Sequence, residues 1–225
     1  MQAGTPTRSA LLLGATGLVG GHCLDLLLEE PAYDRVVVLG RRLLSRTHPK
    51  LEQHVVDFDR LETRAELFGV RDVFCCLGTT IRKAGSREAY RRVDLVYPHE
   101  AARLAAGGGA EQFLLVSALD ADPTSRIFYN RVKGEVEMAV QGLPIQRVVI
   151  VRPSLLLGER EEHRTGERIA GAVLRRLSPL MRGPLARYRP VQARAVAAAL
   201  VRLAGEGRPG VRVVPSDRIA QIAAG

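Results

Sequence analysis

The stretch LLLGATGLVG at residues 11–20 constrains the fold more than any other part of the chain. An apolar run ends at Gly14, Gly17 and Gly20 follow at three-residue intervals, and an apolar, helix-compatible stretch opens at Leu18. A strand that turns through glycines into a helix makes a phosphate cradle. Gly14 allows the tight turn, Gly17 lets the backbone approach a pyrophosphate, and Gly20 lets the helix pack closely on the strand. The unpaired N–H groups of the first helical turn then face the anion. The spacing is GxxGxxG rather than GxGxxG, so its weight comes from context. It lies near the chain start, between strand and helix, with a second apolar run, Val36–Leu39, about 20 residues on.

The same alternation continues downstream. Strand-like runs fall at Ala10–Leu13, Val36–Leu39, His54–Val56, Val73–Leu77, Gln112–Val116 and Gln146–Val151. Helix-like stretches lie between them at Leu18–Glu30, Leu61–Phe68, Ser86–Ala106 and Thr124–Gln141. Strands this uniformly apolar are buried on both faces, which predicts an α/β fold with a parallel sheet between helical layers. Right-handed crossovers make it doubly wound. After Arg152–Pro153 the rhythm changes: residues 158–190 are rich in Arg, Gly and Pro and hold one basic amphipathic stretch, Arg168–Met181. A helix over Val191–Leu203 and a short strand over Val211–Val214 follow. We read residues 1–225 as a single nucleotide-binding domain, with 158–190 as an insertion on the substrate side.

Composition excludes several classes. The net charge is +9, yet aromatics are 4%, tryptophan is absent and the arginines are dispersed, which argues against nucleic acid as a partner. No apolar run approaches the ~20 residues that span a bilayer. Membrane association would rest on Arg168–Met181 alone, a pattern that core packing, a pocket lid or a subunit contact explains as well. Three cysteines make no disulfide framework, and Cys75–Cys76 lies in a strand-like run without CxxC spacing. The histidines lack metal-ligand spacing, so no metal is expected. The N-terminal residues lack a secretory layout, which gives a cytoplasmic expectation.

Ligands of doubly wound sheets sit beyond the carboxyl ends of the strands, so the residues there are the candidates. The second strand ends in Gly40-Arg41-Arg42. An acidic residue at this place suits the ribose hydroxyl of NAD, whereas arginines suit the 2′-phosphate of NADP; Arg41 and Arg42 therefore favour NADP(H) over NAD(H). The fourth strand ends in Leu77-Gly78-Thr79, where a glycine lets a cofactor pass close to the backbone. The fifth ends at Ser117, and twelve residues on comes YNRVK, Tyr129 to Lys133. Residues i and i+4 share a helix face. An ammonium beside a phenol favours the phenolate and makes tyrosine a usable acid or base. Lys133 is one of only three lysines among 33 basic residues. Ser117 would hydrogen-bond the same substrate oxygen, and Pro153 and Ser154, closing the sixth strand, would shape the nicotinamide pocket.

Together these motifs resemble the atypical, extended-like branch of the short-chain dehydrogenase/reductase superfamily. The matching features are GATGLVG at 14–20, Ser117, YNRVK at 129–133 and VRPSLLLG at 151–158. The stretches CCLGTTIRKAGS (75–86), VSALDADPTSRIFYNRVKGEVE (116–137) and RPSLLLGERE (152–161) are similar to the TIP30/CC3-like proteins and to small bacterial proteins labelled nucleoside-diphosphate-sugar epimerases. The resemblance covers roughly residues 8–205. It implies a Rossmann sheet of order 3-2-1-4-5-6 with a seventh strand and a small C-terminal elaboration. It places the pyrophosphate near Gly14, Thr16, Gly17, Leu18 and Val19, the 2′-phosphate near Arg41 and Arg42, and the adenine near Asp57. Ser117, Tyr129 and Lys133 match the superfamily's catalytic set, with Lys133 also on the nicotinamide ribose. Many relatives carry asparagine where this chain has Asp94, a departure from the proton relay of the superfamily. True epimerases carry a larger C-terminal domain than residues 154–225 provide.

The expectation is therefore an NADP(H)-dependent oxidoreductase that moves a hydride to or from a small carbonyl or alcohol, with Tyr129 as acid/base. The alternative is an NADPH-binding regulatory or sensor protein without significant turnover, whose partner surface responds to NADPH occupancy. A homodimer is common in the superfamily, although no interface signature is legible here.

Overall fold

The computed structural model describes residues 8–158 and 183–225. Its centre is a seven-stranded parallel sheet. The strands are β1 (Arg8–Leu13), β2 (Tyr33–Gly40), β3 (Leu51–Val55), β4 (Asp72–Cys75), β5 (Gln112–Val116), β6 (Arg147–Arg152) and β9 (Gly210–Pro215), in the spatial order β3-β2-β1-β4-β5-β6-β9. The small strands β7 (Leu156–Leu157) and β8 (Val191–Gln192) pair separately in parallel. The expected order and the seventh strand are both present.

Alternation along each strand feeds two cores. Ala10 and Leu12 of β1 face helices α1 (Leu18–Glu29) and α6 (Ala193–Glu206), while Leu11 and Leu13 enter the opposite core. That second core is roofed by residues 58–68 and by helices α4 (Tyr97–Gly107) and α5 (Phe128–Gln141). A short helix, α7 (Ser216–Ala224), closes the chain. Among the described residues no helix is long and apolar enough to cross a membrane.

Local chemistry moved several boundaries. Leu61–Phe68 is not an α-helix: residues 58–68 form 3₁₀ turns kinked at Arg60 and Arg64. The stretch read as one helix over Ser86–Ala106 is built from α3 (Arg87–Arg91), a π turn over Arg92–Val96, and α4. A short helix α2 (Ile81–Ala84), capped by the Thr80 side chain, precedes them. Helix α5 starts at Phe128 rather than Thr124, because the Asp122 carboxylate accepts from Thr124 N and Oγ1 and holds that segment in a turn. The amphipathic stretch Arg168–Met181, and with it most of the expected insertion, lies outside the described residues.

Candidate functional site

The strand order reverses direction between β1 and β4, and the crevice at such a switch point is where doubly wound sheets hold their ligands. The glycine loop sits there. Gly14 has φ +85°, and a Cβ on it would lie 2.5 Å from the Cys76 carbonyl oxygen; one on Gly20 would lie 2.0 Å from the Gly14 oxygen. Strand, loop and helix are thus pressed together by absent side chains. Gly17 N donates to Gly14 O at 2.9 Å and closes the turn. Helix α1 begins after Gly17 with no side-chain cap and no acidic residue in its first turn, so its N-terminal N–H groups stay available to an anion. Thr16 and Gly17 are exposed, Leu18 is half-buried, and Val19 is in the core, which leaves only backbone at Val19 to face a ligand. Gly158 abuts the Leu18 side chain, bringing the chain beyond Pro153 back to this loop.

Arg41 and Arg42 follow β2, both exposed, and neither is engaged in an ion pair or hydrogen bond among the described residues. Asp57 is exposed after β3, and its carboxylate accepts from Asp59 N at 3.0 Å. Leu77 is half-buried and Gly78 exposed at the end of β4. These features fit a dinucleotide: a Cβ-free cradle, an uncapped helix N-terminus, and two unpaired guanidinium groups at the next strand end.

The second half of the site is built on α5, whose Tyr129, Lys133 and Glu137 lie one turn apart along one stripe. Tyr129 is 38% exposed, with its ring 6.0 Å from that of buried Tyr90 on α3. Lys133 is buried, and its Nζ lies 2.7 Å from Oδ1 of buried Asp94 on the π turn. Burial works against the Lys133 charge, but Asp94 and Tyr129 outweigh it and hold the ammonium above the usual lysine range. Asp94 Oδ2 accepts from Thr79 N at 2.9 Å, tying this pair to the end of β4. Tyr90 is pushed well above the usual phenol range by burial first and then by Asp94 and Tyr129.

Ser117 is placed differently from the expectation. It is buried at the end of β5, and its hydroxyl donates to Glu137, two helical turns from Tyr129. Glu137, 2% exposed, also takes a forked contact from Arg152, with Nε to Oε1 at 3.0 Å and Nη2 to Oε2 at 2.5 Å. Tyr129 and Lys133 are therefore brought together, and Ser117 joins Glu137 and Arg152. Pro153 is buried and its carbonyl accepts from Leu119 N at 2.8 Å. Ser154 N donates to Ser216 Oγ at 3.0 Å and its hydroxyl to the Arg189 carbonyl, so the strand-6 end is bolted to the C-terminal elements. Glu137 and Gly134 were not singled out from the sequence. The continued i, i+4 spacing from Lys133 points to Glu137, whereas no local signal marks Gly134. A Cβ on Gly134 would lie 2.1 Å from Pro123 N, so the loop after β5 packs directly on α5 beside Lys133. An open groove of about 320 Å³ between residues 58–68 and α4, lined by Phe58, Glu62, Tyr97 and Arg103 among others, contains none of these candidates. Among the described residues no cluster of metal-ligating side chains occurs.

The sheet order and its helical layers define a doubly wound domain of the Rossmann type. No protein-family model matches the chain. It is 41% identical over 167 residues to protein HTATIP2 of Rattus norvegicus, covering 72% of this chain and 69% of that protein. It is 32% identical over 204 residues to protein FMP52, mitochondrial, of Debaryomyces hansenii, covering 88% of each. The chain belongs to this HTATIP2/FMP52 family. Similar solved structures include WbmH of Bordetella bronchiseptica in complex with NAD+, with TM-score 0.70 and 16% identity over 93% of this chain and 76% of that one. A UDP-N-acetylglucosamine 4-epimerase from Methanobrevibacter ruminantium matches at TM-score 0.69 and 12% identity, over 96% and 80%. These share the fold.

The cytoplasmic expectation is corrected by the same comparison, since the fungal relatives are named mitochondrial proteins. The criterion behind it asks for the apolar core of a secretory signal. It says nothing about a mitochondrial address.

Proposed function

We propose that the chain is an NADP(H)-dependent oxidoreductase acting on a small carbonyl or alcohol. The observation that carries this reading is the pairing on α5 of an accessible tyrosine with a buried, ion-paired lysine, at the same sheet edge as the glycine cradle. The solved neighbours captured with NAD+ support a nicotinamide dinucleotide, and the unpaired Arg41 and Arg42 favour the 2′-phosphorylated form. Gly14, Thr16, Gly17 and the first N–H groups of α1, at Leu18 and Val19, would hold the pyrophosphate, with Asp57 near the adenine and Leu77, Gly78 and Thr79 along its path. Pro153 and Ser154 would wall the nicotinamide side. When bound, the nicotinamide supplies or accepts the hydride. Tyr129 gives its phenolic proton to the carbonyl oxygen in reduction and takes it back in oxidation. The Lys133 ammonium would stabilise the negative charge that develops on the Tyr129 oxygen as its proton leaves, and would hold the nicotinamide ribose. Ser117 serves this site through Glu137 and Arg152 by fixing the end of β5 against α5.

A second reading, an NADPH-responsive binding protein with a protein partner, is favoured by the commitment of Ser117 to Glu137, which takes the expected companion hydroxyl away from Tyr129. Two measurements separate them. Calorimetric titration should show NADPH binding tighter than NADH, and Arg41→Ser with Arg42→Ser should cost NADPH about tenfold or more while leaving NADH unchanged. Equal affinities would discard the NADP assignment. In a carbonyl-reduction assay, Tyr129→Phe should lose about 10²–10⁴-fold in turnover with NADPH affinity retained. Wild-type turnover in that variant would remove the acid/base role, and no turnover by the unmodified chain on any carbonyl would favour the sensor.

A further inference from the structure

Three aromatic rings meet where α3 faces the start of α5. Tyr90, fully buried, packs against both Phe128 and Tyr129, with ring centres 5.7 Å and 6.0 Å away. Half-buried Phe128 is thereby held beside the accessible phenol of Tyr129. Two guanidinium groups lie over the same Phe128 ring: Arg87 Cζ is 5.0 Å from its centre and Arg131 Cζ 5.8 Å. One comes from α3 and the other from α5. Charge in this corner does not balance. Glu135 on α5 is taken first by Arg91, Nη1 to Oε2 at 2.5 Å, while Arg131 Nε stands 3.9 Å off. Arg131 is held instead by the Ser125 carbonyl, which accepts from Nη1 at 2.9 Å. Glu88, next to Arg87 in sequence, is turned to its own N–H and to Ser86, which hold its carboxyl below the usual range. Exposed Arg87 makes no hydrogen bond and no close ion pair among the described residues.

Three guanidinium groups thus share one carboxylate beside Tyr129. Like charges gathered on one ring repel each other, and a cation–π contact at a partly exposed ring is a weak compensation. An anion between Arg87 and Arg131 restores the balance, and the planar fork of arginine matches the paired oxygens of a carboxylate or phosphate. We propose that Arg87 and Arg131, over Phe128, form an oxyanion subsite next to Tyr129, so that the substrate is a carbonyl compound that also carries a carboxylate or a phosphate. The inference rests on the oxidoreductase reading for the carbonyl end; the anion subsite does not depend on turnover. Phe128 supplies an apolar wall for the part of the substrate between its polar ends. Arg131, anchored by the Ser125 carbonyl, fixes where the anion lies, and Arg87, without a partner of its own, sets the preference for it.

The test compares three aldehydes of similar shape in NADPH-dependent reduction by the full chain: 4-carboxybenzaldehyde, 4-formylphenyl phosphate and the uncharged methyl 4-formylbenzoate. We expect kcat/KM to favour at least one of the anions over the ester by about tenfold or more, as charge-assisted hydrogen bonds give. Arg87→Gln should remove most of that preference through KM and leave the ester unchanged. Arg103→Gln takes the same charge from α4, in the groove apart from the site, and should leave the preference as it is. A wild type that reduces the ester as well as both anions overturns the proposal. So does a preference that survives Arg87→Gln or falls equally in Arg103→Gln. Where none of the aldehydes is reduced, calorimetric titration of the two anions into the chain with NADP+ present decides. Binding weakened about tenfold by Arg87→Gln keeps the subsite and removes the oxidoreductase reading. No binding of either anion removes the subsite.

Discussion

At the scale of single residues, the site depends on side chains that are missing as much as on those present. Gly14 combines a left-handed backbone with a carbonyl 2.5 Å from where a Cβ would sit. An L-residue in that conformation costs about 1–2 kcal/mol before any clash, and here the obstacle is the Cys76 backbone, which cannot rotate away. Gly14→Ala should therefore lose more than about 2 kcal/mol in urea unfolding, together with cofactor affinity. Retention of both would mean the loop relaxes freely. This residue was legible in the sequence, because a tight strand-to-helix turn needs glycine wherever it occurs. Ser117 was legible only as a serine at a strand end. The direction of its hydroxyl depends on Glu137, which lies 20 residues along the chain.

At the scale of elements, α5 organises the candidate site. Tyr129 at its open end is accessible, Lys133 in the middle is ion-paired, and Glu137 deeper in receives Ser117 and Arg152. Glu137→Ala would leave a buried hydroxyl and a half-buried guanidinium without their acceptor, at a cost of about 1–3 kcal/mol. Urea unfolding measures this directly, and a loss below about 0.5 kcal/mol would show that water or a neighbouring carbonyl replaces the carboxylate. The existence of α5 followed from its periodic apolar positions, but its start did not. Residues 124–127 have no strong helix breaker among them, and the Asp122 turn that holds them is a side-chain contact. The same holds for the π turn at Arg92–Val96: its sequence is helix-compatible, and the extra residue per turn appears where Asp94 meets Lys133.

At the scale of the molecule, buried ionisable groups predict how stability responds to alkali. Tyr33 donates to Asp72 at 2.6 Å, Gln112 links that carboxylate to Arg147 and to the Ala204 carbonyl, and this strut binds β2, β4, β5, β6 and α6. Burial, then Asp72, pushes the Tyr33 phenol far above its ordinary range; Tyr90 and Lys133 are raised as well. Each of these groups holds its proton more tightly folded than unfolded. Their contribution is therefore complete below about pH 10, where unfolded tyrosine and lysine begin to titrate, and is lost as pH rises above it. The urea midpoint should fall steeply between about pH 10 and 11.5, and Tyr33→Phe should remove about 1.4 kcal/mol per pH unit of that slope, one proton's worth. An unchanged slope would mean Tyr33 ionises freely in the folded state. The sequence by itself determined the α/β class, the parallel sheet, the strand–glycine–helix turn and the placing of Tyr129 and Lys133 on one helix face, because these rest on periodicities and spacings of a few residues. The tertiary structure alone decided that Asp94 neutralises Lys133, that Ser117 answers to Glu137, and that the polar strut spans four strands. Those contacts join residues 20 to 92 positions apart, and their partners are chosen by how the sheet stacks its helices rather than by any local pattern.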